Sequence, residues 1–281
     1  MTIRDEAFEG LPLSVPVIDA HTHLLGYYYT GWYSAFQETS DVIALMGHLG
    51  IDAIVTAPHS LILGDSRATN KAAHDAAVTF PGRVYGYIFI YPGDDMDTVR
   101  EIIARYAPDP CFVGFKFLPG YHGPLTAPAY EYAMDYAAEH QCPVLTHLWG
   151  ESPGARDIAR IAGQRPDLKL LAAHQGGGSA DCTDAIAEVM RDHPNVSMEI
   201  CGSLFNTYSL EEMVDLVGDD RIIYGSDLIN LDPRYDLGQV VFSTLPDTSK
   251  RKILAGNFLR QLEGSALGRI TLTARQSAAP P

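Results

Sequence analysis

The segment VIDAHTH, from Val17 to His23, indicates both a strand and a group of metal ligands near the start of the chain. It is an apolar run that ends in two histidines with one residue between them. Side chains on a β-strand alternate between its two faces, so His21 and His23 project from the same face and could hold one divalent metal ion. The pair alone is a weak signal, because two histidines at the end of a strand also occur by chance.

Three later apolar runs end in the same way, each with a residue that zinc, iron or manganese accepts as a ligand. They are 143–146 before His147, 168–173 before His174, and 221–226 before Asp227. In a closed parallel barrel the C-terminal ends of all strands meet at one face, so ligands far apart in the sequence can share one metal ion. Together the four runs favour a metal site at that face.

Strand-like runs alternate with longer, more polar stretches of helical character, which is typical of repeated βα units around a parallel sheet. Strands are predicted at 15–20, 53–57, 84–90, 112–118, 144–147, 169–173, 196–200 and 222–225. Helices are predicted at 41–47, 68–80, 96–106, 130–140, 154–162, 181–191 and 210–217. Eight strands close a barrel. We therefore predict an α/β fold, a single (β/α)8 TIM barrel over residues 1–281, with 271–281 as an extended tail.

The length of 281 residues suits one such barrel, which typically needs about 250. A hydrophobic fraction of 46% and a charged fraction of 20% are typical of a globular protein. No segment reaches the roughly 18 consecutive apolar residues of a membrane helix. The start of the chain is acidic and lacks the basic and then apolar pattern of a signal peptide. We therefore expect a cytoplasmic protein that does not bind membranes.

The net charge of -15 arises from 20 lysines and arginines against 35 aspartates and glutamates. Such a charge repels a phosphate backbone, so nucleic-acid binding is excluded as a main role. The four cysteines are scattered and form no Cys-X-X-Cys pair, which argues against a disulfide framework and against a thiolate zinc site. We expect them to be reduced and to serve mostly in packing.

The ordered set of motifs resembles the amidohydrolase superfamily, and within it the amidohydrolase-related branch. That branch includes aminocarboxymuconate-semialdehyde decarboxylase and related aromatic-acid decarboxylases, hydratases and lactonases. The motifs are DAHTH at 19–23, GFKF at 114–117, PVLTH at 143–147, AHQGG at 173–177, YGSD at 224–227 and ILAGN at 253–257. They span most of the chain, and the resemblance implies a metal-dependent barrel enzyme without identifying its substrate.

Carried over by position, the resemblance implies that His21, His23, His147 and Asp227 are metal ligands and that Asp227 and His174 are catalytic. Three imidazoles and a carboxylate leave room for a water molecule whose pKa the metal lowers. Asp227 could take the proton of that water, and His174 could orient it or polarise a substrate oxygen. The alternatives are a helix N-cap for Asp227 and a structural histidine beside a glycine turn for His174.

Lys116 allows two interpretations. In some superfamily members a lysine on the fourth strand is carboxylated and bridges two metals, whereas the GFKF motif resembles branch members whose lysine is unmodified and binds a substrate carboxylate or pairs with an acid. A buried lysine needs a partner in either case. We favour one metal ion, most simply zinc, over a second metal bridged by carboxylated Lys116. Glu199, near the end of the seventh predicted strand, receives no assigned role.

Residues just beyond the strand ends are expected to form the rim of a substrate pocket. The candidates for substrate binding, besides Lys116, are Tyr28 and Trp32 after the first strand, His59 after the second, Trp149 after the fifth and Arg234 after Asp227. Aromatic residues could stack on a planar substrate or pack a loop over the barrel, and they serve both uses. Arg234 could clamp a carboxylate, or it could form a surface ion pair with a nearby aspartate.

The leading functional prediction is a mononuclear metal-dependent hydrolase that cleaves an ester, lactone or amide of a small, carboxylated substrate. The alternative uses the same site for decarboxylation or hydration of an unsaturated or aromatic acid. A catalytically silent barrel used for binding is disfavoured, because such a protein has no chemical need for the complete ligand set. By analogy with other barrels of this kind, we expect a homo-oligomer, most simply a dimer.

Overall fold

The computed structural model describes residues 1–24, 38–149, 154–202 and 208–272, and an eight-stranded parallel sheet lies at its centre. The strands pair with one another in sequence order. They are β1 (Ile18–Thr22), β2 (Ala53–Thr56), β3 (Val84–Phe89), β4 (Phe112–Phe117), β5 (Pro143–Thr146), β6 (Lys169–Ala172), β7 (Val196–Glu199) and β8 (Ile222–Ile223). All eight predicted strands are confirmed. β1 begins later than predicted, and β8 is only two residues long.

Backbone hydrogen bonds between the first and the last strand close this sheet into a barrel. The N–H of Ala20 donates to the carbonyl of Tyr224 at 3.1 Å, and the N–H of Asp227 donates to the carbonyl of His21 at 2.8 Å. Because β8 is so short, the residues that follow it make much of this contact. We call this set of contacts the β1–β8 junction. It brings Asp227 beside the histidines of β1.

Helices follow the strands along the chain, which confirms the predicted (β/α)8 barrel. They are α1 (Ile3–Phe8), α2 (Thr39–Leu49), α3 (Ser66–Thr79), α4 (Met96–Tyr106), α5 (Pro128–Glu139), α6 (Ala155–Gln164), α7 (Ala180–Asp192), α8 (Ser209–Val217), α9 (Pro233–Phe242), α10 (Asp247–Arg251) and α11 (Asn257–Gln261). All seven predicted helices are confirmed. Several begin at a side-chain cap, as α3 does at Asp65 and α4 at Asp95.

Four helices were not predicted from the sequence, namely α1, α9, α10 and α11. Three of them have six residues or fewer, too few for an apolar period of 3.6 residues to stand out. The fourth, α9, starts with Pro233 and contains Gly238, and both residue types lower helix propensity in a sequence pattern. Asp232 caps α9 by accepting a hydrogen bond from the N–H of Arg234 at 3.0 Å.

The barrel has two buried apolar layers. One lies between the sheet and the helices, and it includes Val17, Phe115 and Ile186. The other consists of strand residues that alternate with the first set, together with residues of the last helix, and we call it the interior apolar cluster. Its members include Ile18, Ala20, Val55, Tyr87, Phe89, Val113, Leu145, Leu171, Ile223 and Phe258. The period of two along the strands therefore separates the layers.

Among the described residues, no helix is long and apolar enough to cross a membrane. The predicted tail lies mostly beyond the described part of the chain, which ends at residue 272. Its first residue, Thr271, donates its backbone N–H to the hydroxyl of Tyr85 at 3.0 Å. This contact attaches the start of the predicted tail to β3.

Candidate active site

Three of the four predicted metal ligands meet at the β1–β8 junction. The Nε2 atoms of His21 and His23 are 3.2 Å apart. Asp227 Oδ1 lies 3.2 Å from His23 Nε2 and 3.9 Å from His21 Nε2. All three side chains are buried, and their ligand atoms lie within 4.8 Å of one another, close enough to bind one ion.

The partners of the two rings show where their hydrogens lie. His23 Nδ1 is 2.7 Å from the carbonyl oxygen of Ala57, which can only accept, so Nδ1 carries the hydrogen. His21 Nε2 is 2.6 Å from the Nζ of Lys116, and an ammonium group only donates, so this Nε2 accepts. Neither Nε2 atom therefore carries a hydrogen, and both lie beside the Asp227 carboxylate. Acceptors at such distances repel one another unless positive charge lies beside them. The Lys116 ammonium supplies such a charge at His21 Nε2, and two imidazoles with a carboxylate are also a donor set that fits a divalent metal ion.

Backbone and side-chain contacts hold Asp227 in place. Its φ of 56° lies in the left-handed region, which costs a non-glycine residue on the order of 1–3 kcal/mol and persists only where the surroundings enforce it. Asn230 donates its Nδ2 to Asp227 Oδ1 at 3.0 Å. The preceding Ser226 donates its N–H to the buried carboxylate of Asp19 on β1 at 3.0 Å. Asp227 therefore does not cap a helix, which was the alternative interpretation.

His147, the fourth predicted ligand, follows β5 and lies next to His174. Its Nδ1 is 3.1 Å from His174 Nε2. Its Nε2 is buried and has no hydrogen-bond partner in the described part of the chain. A buried nitrogen without a partner is costly, and a metal ion is one way to satisfy it. The structure thus leaves one nitrogen of His147 available as a ligand, although the ring is not in the group formed by the other three.

His174 stands at a sharp turn after β6. Its own φ is 55°, and the next glycine, Gly176, has a φ of 96°. A Cβ atom at Gly176 would lie 2.3 Å from Ile186 Cγ1, so both space and conformation require glycine there. Besides its contact with His147, the His174 ring places Nδ1 3.0 Å from Cys201 Sγ. Burial lowers the pKa of His174 to about 4, so the ring is neutral at pH 7.

Lys116 on β4 is fully buried and contacts a predicted ligand rather than solvent. Its Nζ lies 2.6 Å from His21 Nε2. Burial lowers the pKa of Lys116 to about 8, and the negative charges of Asp227 and Glu199 oppose that effect. Burial also opposes the ionisation of Asp227, but contact with His23 outweighs it and lowers the pKa of Asp227 below its usual range. The site therefore holds a carboxylate that is ionised at neutral pH.

Two further side chains belong to this site: Cys201, which was predicted to serve in packing, and Glu199, to which no role was assigned from the sequence. Glu199, at the end of β7, places Oε2 2.7 Å from His21 Nδ1. Cys201, two residues later, donates its thiol to the same oxygen at 3.1 Å. Burial raises the pKa of Glu199 well above its usual range. The alternation of β7 could have indicated that Glu199 and Ser197 face the same side, but it could not show what either contacts.

Seven of the side chains in this site lie at or near the C-terminal ends of six strands, and we call them the polar cluster, which Cys201 adjoins: His21, His23, Lys116, His147, His174, Glu199 and Asp227. A cavity of about 310 Å³ opens above it. Four members line that cavity, namely His23, His147, His174 and Asp227. Its other described walls are mostly apolar or aromatic, formed by Leu61, Ile62, Leu118, Tyr121, Trp149 and Leu231 with His59, Asn230 and Gly202.

Of the predicted substrate-binding residues, His59 and Trp149 line the cavity. His59 hydrogen-bonds to Asn230 through Nε2, and the ring of Trp149 lies 5.5 Å from that of His174. Lys116 is not among the lining residues, because it lies deeper and bonds to His21. The predictions for Tyr28 and Trp32 fall outside the described residues.

Arg234 is not brought to the site, contrary to its prediction as a substrate clamp. Its guanidinium forms an ion pair with Asp232, and 69% of its side-chain surface is exposed. It borders a different cavity, beside Leu11 and Leu237. The ion pair that was the alternative interpretation is therefore what the structure contains. Arg234 was assigned to the site because it is close to Asp227 in the sequence. However, helix α9 starts at Pro233 and directs the chain away from the barrel mouth.

Comparisons with solved structures identify the same fold in several enzymes at low sequence identity. A 2,6-dihydroxybenzoate decarboxylase from Rhizobium has a TM-score of 0.70 and 15% identity, with 89% of this chain and 99% of that chain covered. A 4-oxalomesaconate hydratase from Rhodopseudomonas palustris has a TM-score of 0.66 and 17% identity, with 88% and 96% covered. A probable 2-pyrone-4,6-dicarboxylic acid hydrolase from Acinetobacter baumannii has a TM-score of 0.62 and 13% identity, with 88% and 98% covered.

A search of curated protein sequences gave no match. The sequence profile of the amidohydrolase family, in contrast, matches residues 18–260. That range begins with β1 and contains all eight strands and every member of the polar cluster. It confirms the resemblance that the motifs indicated. The chain therefore belongs to the amidohydrolase family of enzymes.

Proposed function

We propose that the protein is a zinc-dependent hydrolase that cleaves an ester, lactone or amide bond of a small substrate. The observation that supports this most strongly is the convergence of three acceptor atoms in a buried site. His21 Nε2, His23 Nε2 and Asp227 Oδ1 are 3.2 to 3.9 Å from one another, and the ring hydrogens are assigned to the opposite nitrogens. Such a group could bind a cation, and imidazole with carboxylate is a donor set that zinc accepts.

In this proposal His21, His23 and Asp227 hold the metal, and His147 offers as the fourth ligand its Nε2, which no described residue contacts. A divalent ion held there supplies Lewis-acid chemistry, since it polarises a carbonyl oxygen and lowers the pKa of water. Other divalent metals accept the same donors, so zinc is chosen for its fit to nitrogen and oxygen ligands. One ion is proposed, because Lys116 Nζ is engaged by His21.

Asp227 is the proposed general base. It is ionised at neutral pH, and it lines the cavity, so water can reach its carboxylate. Asn230 holds Oδ1 by a hydrogen bond of 3.0 Å, which fixes the carboxylate plane. In the forward reaction Asp227 accepts a proton from the attacking water and then passes it to the leaving oxygen or nitrogen.

His174 is the proposed partner of the substrate oxygen. It is neutral at pH 7, and its ring lines the cavity. Both of its nitrogens have protein contacts, Nε2 with His147 and Nδ1 with Cys201. Donation to a substrate therefore requires His174 to give up one of these contacts. Until then its contact with His147 orients that ring.

The cavity walls support a small, largely apolar acyl substrate. A volume of about 310 Å³ is at the lower end of the range for ligand pockets, and its described walls include aliphatic and aromatic side chains. The described lining contains neither lysine nor arginine. A carboxylated substrate was expected from the sequence, and this stays a prediction, although Arg234, its expected clamp, pairs with Asp232.

A second candidate is decarboxylation or hydration of an unsaturated or aromatic acid. The observation that favours it is the aromatic wall formed by Tyr121, Trp149 and His59, against which a planar ring could stack. Proteins with the same fold include a dihydroxybenzoate decarboxylase and an oxalomesaconate hydratase. The same metal ligands would serve in either reaction.

The two candidates are separated by assaying the zinc-loaded protein against two sets of compounds. Neutral aryl esters, lactones and anilides form one set, and hydroxybenzoates with unsaturated dicarboxylic acids form the other. We expect turnover in the first set, and we expect Asp227→Asn and chelator treatment to abolish it. If only the second set reacts, with release of carbon dioxide or addition of water, the hydrolase proposal is wrong and the second candidate replaces it.

A further inference from the structure

Glu199 is a buried carboxylate at the end of β7 to which the proposed reaction gives no task. Its side chain is inaccessible to solvent and does not line the cavity. Its Oε2 nevertheless lies 2.7 Å from the Nδ1 of His21 and 3.1 Å from the thiol of Cys201. One carboxylate oxygen thus contacts a proposed metal ligand on the side of the ring that is opposite to the metal.

The direction of the hydrogen bond between Glu199 and His21 follows from the other side of the ring. His21 Nε2 accepts from Lys116 at 2.6 Å, so the single hydrogen of the neutral imidazole is on Nδ1. Nδ1 therefore donates, and of its two contacts Glu199 Oε2 at 2.7 Å is closer than Cys201 Sγ at 3.1 Å. This oxygen can accept whether or not the carboxyl carries a proton, because a proton could lie on Oε1 instead. The ring is thus oriented by contacts at both of its nitrogens.

Gly225 on the neighbouring segment gives this carboxylate its space. A Cβ atom at position 225 would lie 2.1 Å from Glu199 Oε1 and 2.8 Å from His21 Cβ. The glycine does not have a left-handed φ, so it is required for space and not for backbone conformation. Gly225, the glycine of the YGSD motif, thus adjoins both the Glu199 carboxylate and His21, the histidine that this carboxylate contacts.

We propose that Glu199 is a positioning residue that holds His21 in the tautomer with hydrogen on Nδ1, and that Gly225 provides the space this carboxylate needs. Nε2 then carries the lone pair, which Lys116 contacts in this structure and which a metal ion beside His23 and Asp227 would take in place of that contact. This inference deepens the proposed function and rests on it, since it concerns the same metal site. Partners of this kind commonly change metal affinity by about 10- to 100-fold when they are removed.

The test compares zinc affinity among four proteins: wild type, Glu199→Gln, Gly225→Ala and Asp236→Asn. Each is stripped with a chelator and titrated with zinc in competition with a chromophoric chelator. Asp236→Asn is the matched control, because Asp236 is a second buried carboxyl that accepts from the N–H of Gly202 at 2.9 Å and not from a proposed ligand. We expect Glu199→Gln and Gly225→Ala to bind zinc about 10- to 100-fold more weakly, and Asp236→Asn to bind like wild type.

A second measurement does not depend on metal. Nitrogen-15 NMR of histidine-labelled, metal-free protein reports which ring nitrogen of His21 carries hydrogen, with the His21→Gln variant used to assign the signals. We expect hydrogen on Nδ1 in the wild type, and a mixture of tautomers in Gly225→Ala, which keeps Glu199 but displaces its carboxylate. Hydrogen on Nε2 in the wild type would overturn the inference.

The outcomes also separate this inference from the proposed function. A wild type that binds zinc while Glu199→Gln and Gly225→Ala bind it equally well leaves the metal site intact and overturns the role of Glu199. A wild type that binds no zinc or other divalent ion overturns the proposed function itself. If Gly225→Ala fails to fold, Glu199→Leu takes its place, because it removes the acceptor that the amide oxygen of Glu199→Gln would keep.

Discussion

The interior apolar cluster and the polar cluster are built on the same strands, yet they differ in how their side chains are satisfied. On β4, Val113 belongs to the first and Lys116 to the second. Apolar side chains gain from burial alone and need no specific partner. A buried polar group costs free energy unless it finds a hydrogen bond or an opposite charge. The polar cluster contains acceptors that face one another and a His147 nitrogen that has no partner among the described residues.

The apolar residues of the strands therefore contribute to stability, and the polar residues at the strand ends contribute to chemistry. The interior apolar cluster fills the barrel and holds the strands together. The packed barrel holds the polar cluster in unfavourable arrangements, including the left-handed backbone conformations of His174 and Asp227. Substitutions in the two clusters should therefore affect different measurements.

The largest expected effect is on metal binding in His23→Ala. We expect metal content to fall from about one ion per chain to near zero, and turnover to fall by more than the roughly 100-fold that loss of an outer partner can cost. The barrel should stay folded, because His23 supplies no apolar packing to the interior cluster. Elemental analysis and circular dichroism check both points. His140→Ala, a histidine stacked on Tyr136 outside the site, is the control. Full metal content in His23→Ala would contradict the ligand assignment.

The second effect is on stability in Phe258→Ala. Phe258 is fully buried in the interior apolar cluster, with its ring centroid 6.5 Å from that of Tyr87. Deleting a buried phenyl ring typically lowers the free energy of unfolding by about 3–5 kcal/mol. We expect that loss in equilibrium urea denaturation, with unchanged metal content of the folded protein. Leu216→Ala, at an exposed position, should lose less than about 1 kcal/mol. Loss of metal from folded Phe258→Ala would show that the two clusters are not separable.

The smallest expected effect concerns Trp149 and Arg234, which were both predicted from the sequence to bind substrate. Trp149 lines the cavity while 55% of its surface is exposed, so Trp149→Ala should raise KM about tenfold with a smaller change in kcat. Arg234→Ala should change neither, because its guanidinium pairs with Asp232 away from the cavity. Steady-state kinetics on the best substrate found for the wild type check both. A larger effect from Arg234→Ala would favour the clamp predicted from the sequence.

The barrel and the group of candidate metal ligands could be predicted from the sequence because each rests on a local pattern. Short apolar runs between more polar helical stretches predicted all eight strands, and the residues that end those runs include His21, His23 and Asp227, which the structure brings together. Parallel strands place these ends at one face, so no knowledge of loop structure was needed.

Other features depend on contacts between distant segments, which no local pattern reveals. Cys201 and Glu199 reach the site because β7 lies beside β8 in the closed barrel. Arg234 was assigned by its closeness to Asp227 in sequence, but the short helix α9 sets its direction. The depth of Lys116 is likewise a tertiary property, since the same sequence pattern allows a lysine at the rim or beneath it.

Because of the β1–β8 junction, the stability of the closed barrel depends on ligand binding at the site. His21 and His23 lie on one side of this closure and Asp227 on the other, and the backbone between them is joined through a strand of only two residues. A ligand that binds all three ties the first strand to the last. By mass action, each tenfold rise of its concentration above Kd adds about 1.4 kcal/mol to the stability of the closed barrel. Hydrogen exchange at the amides of Ala20 and Asp227 would then slow as the ligand binds. Closure of the barrel and ligand binding at the site are therefore thermodynamically linked.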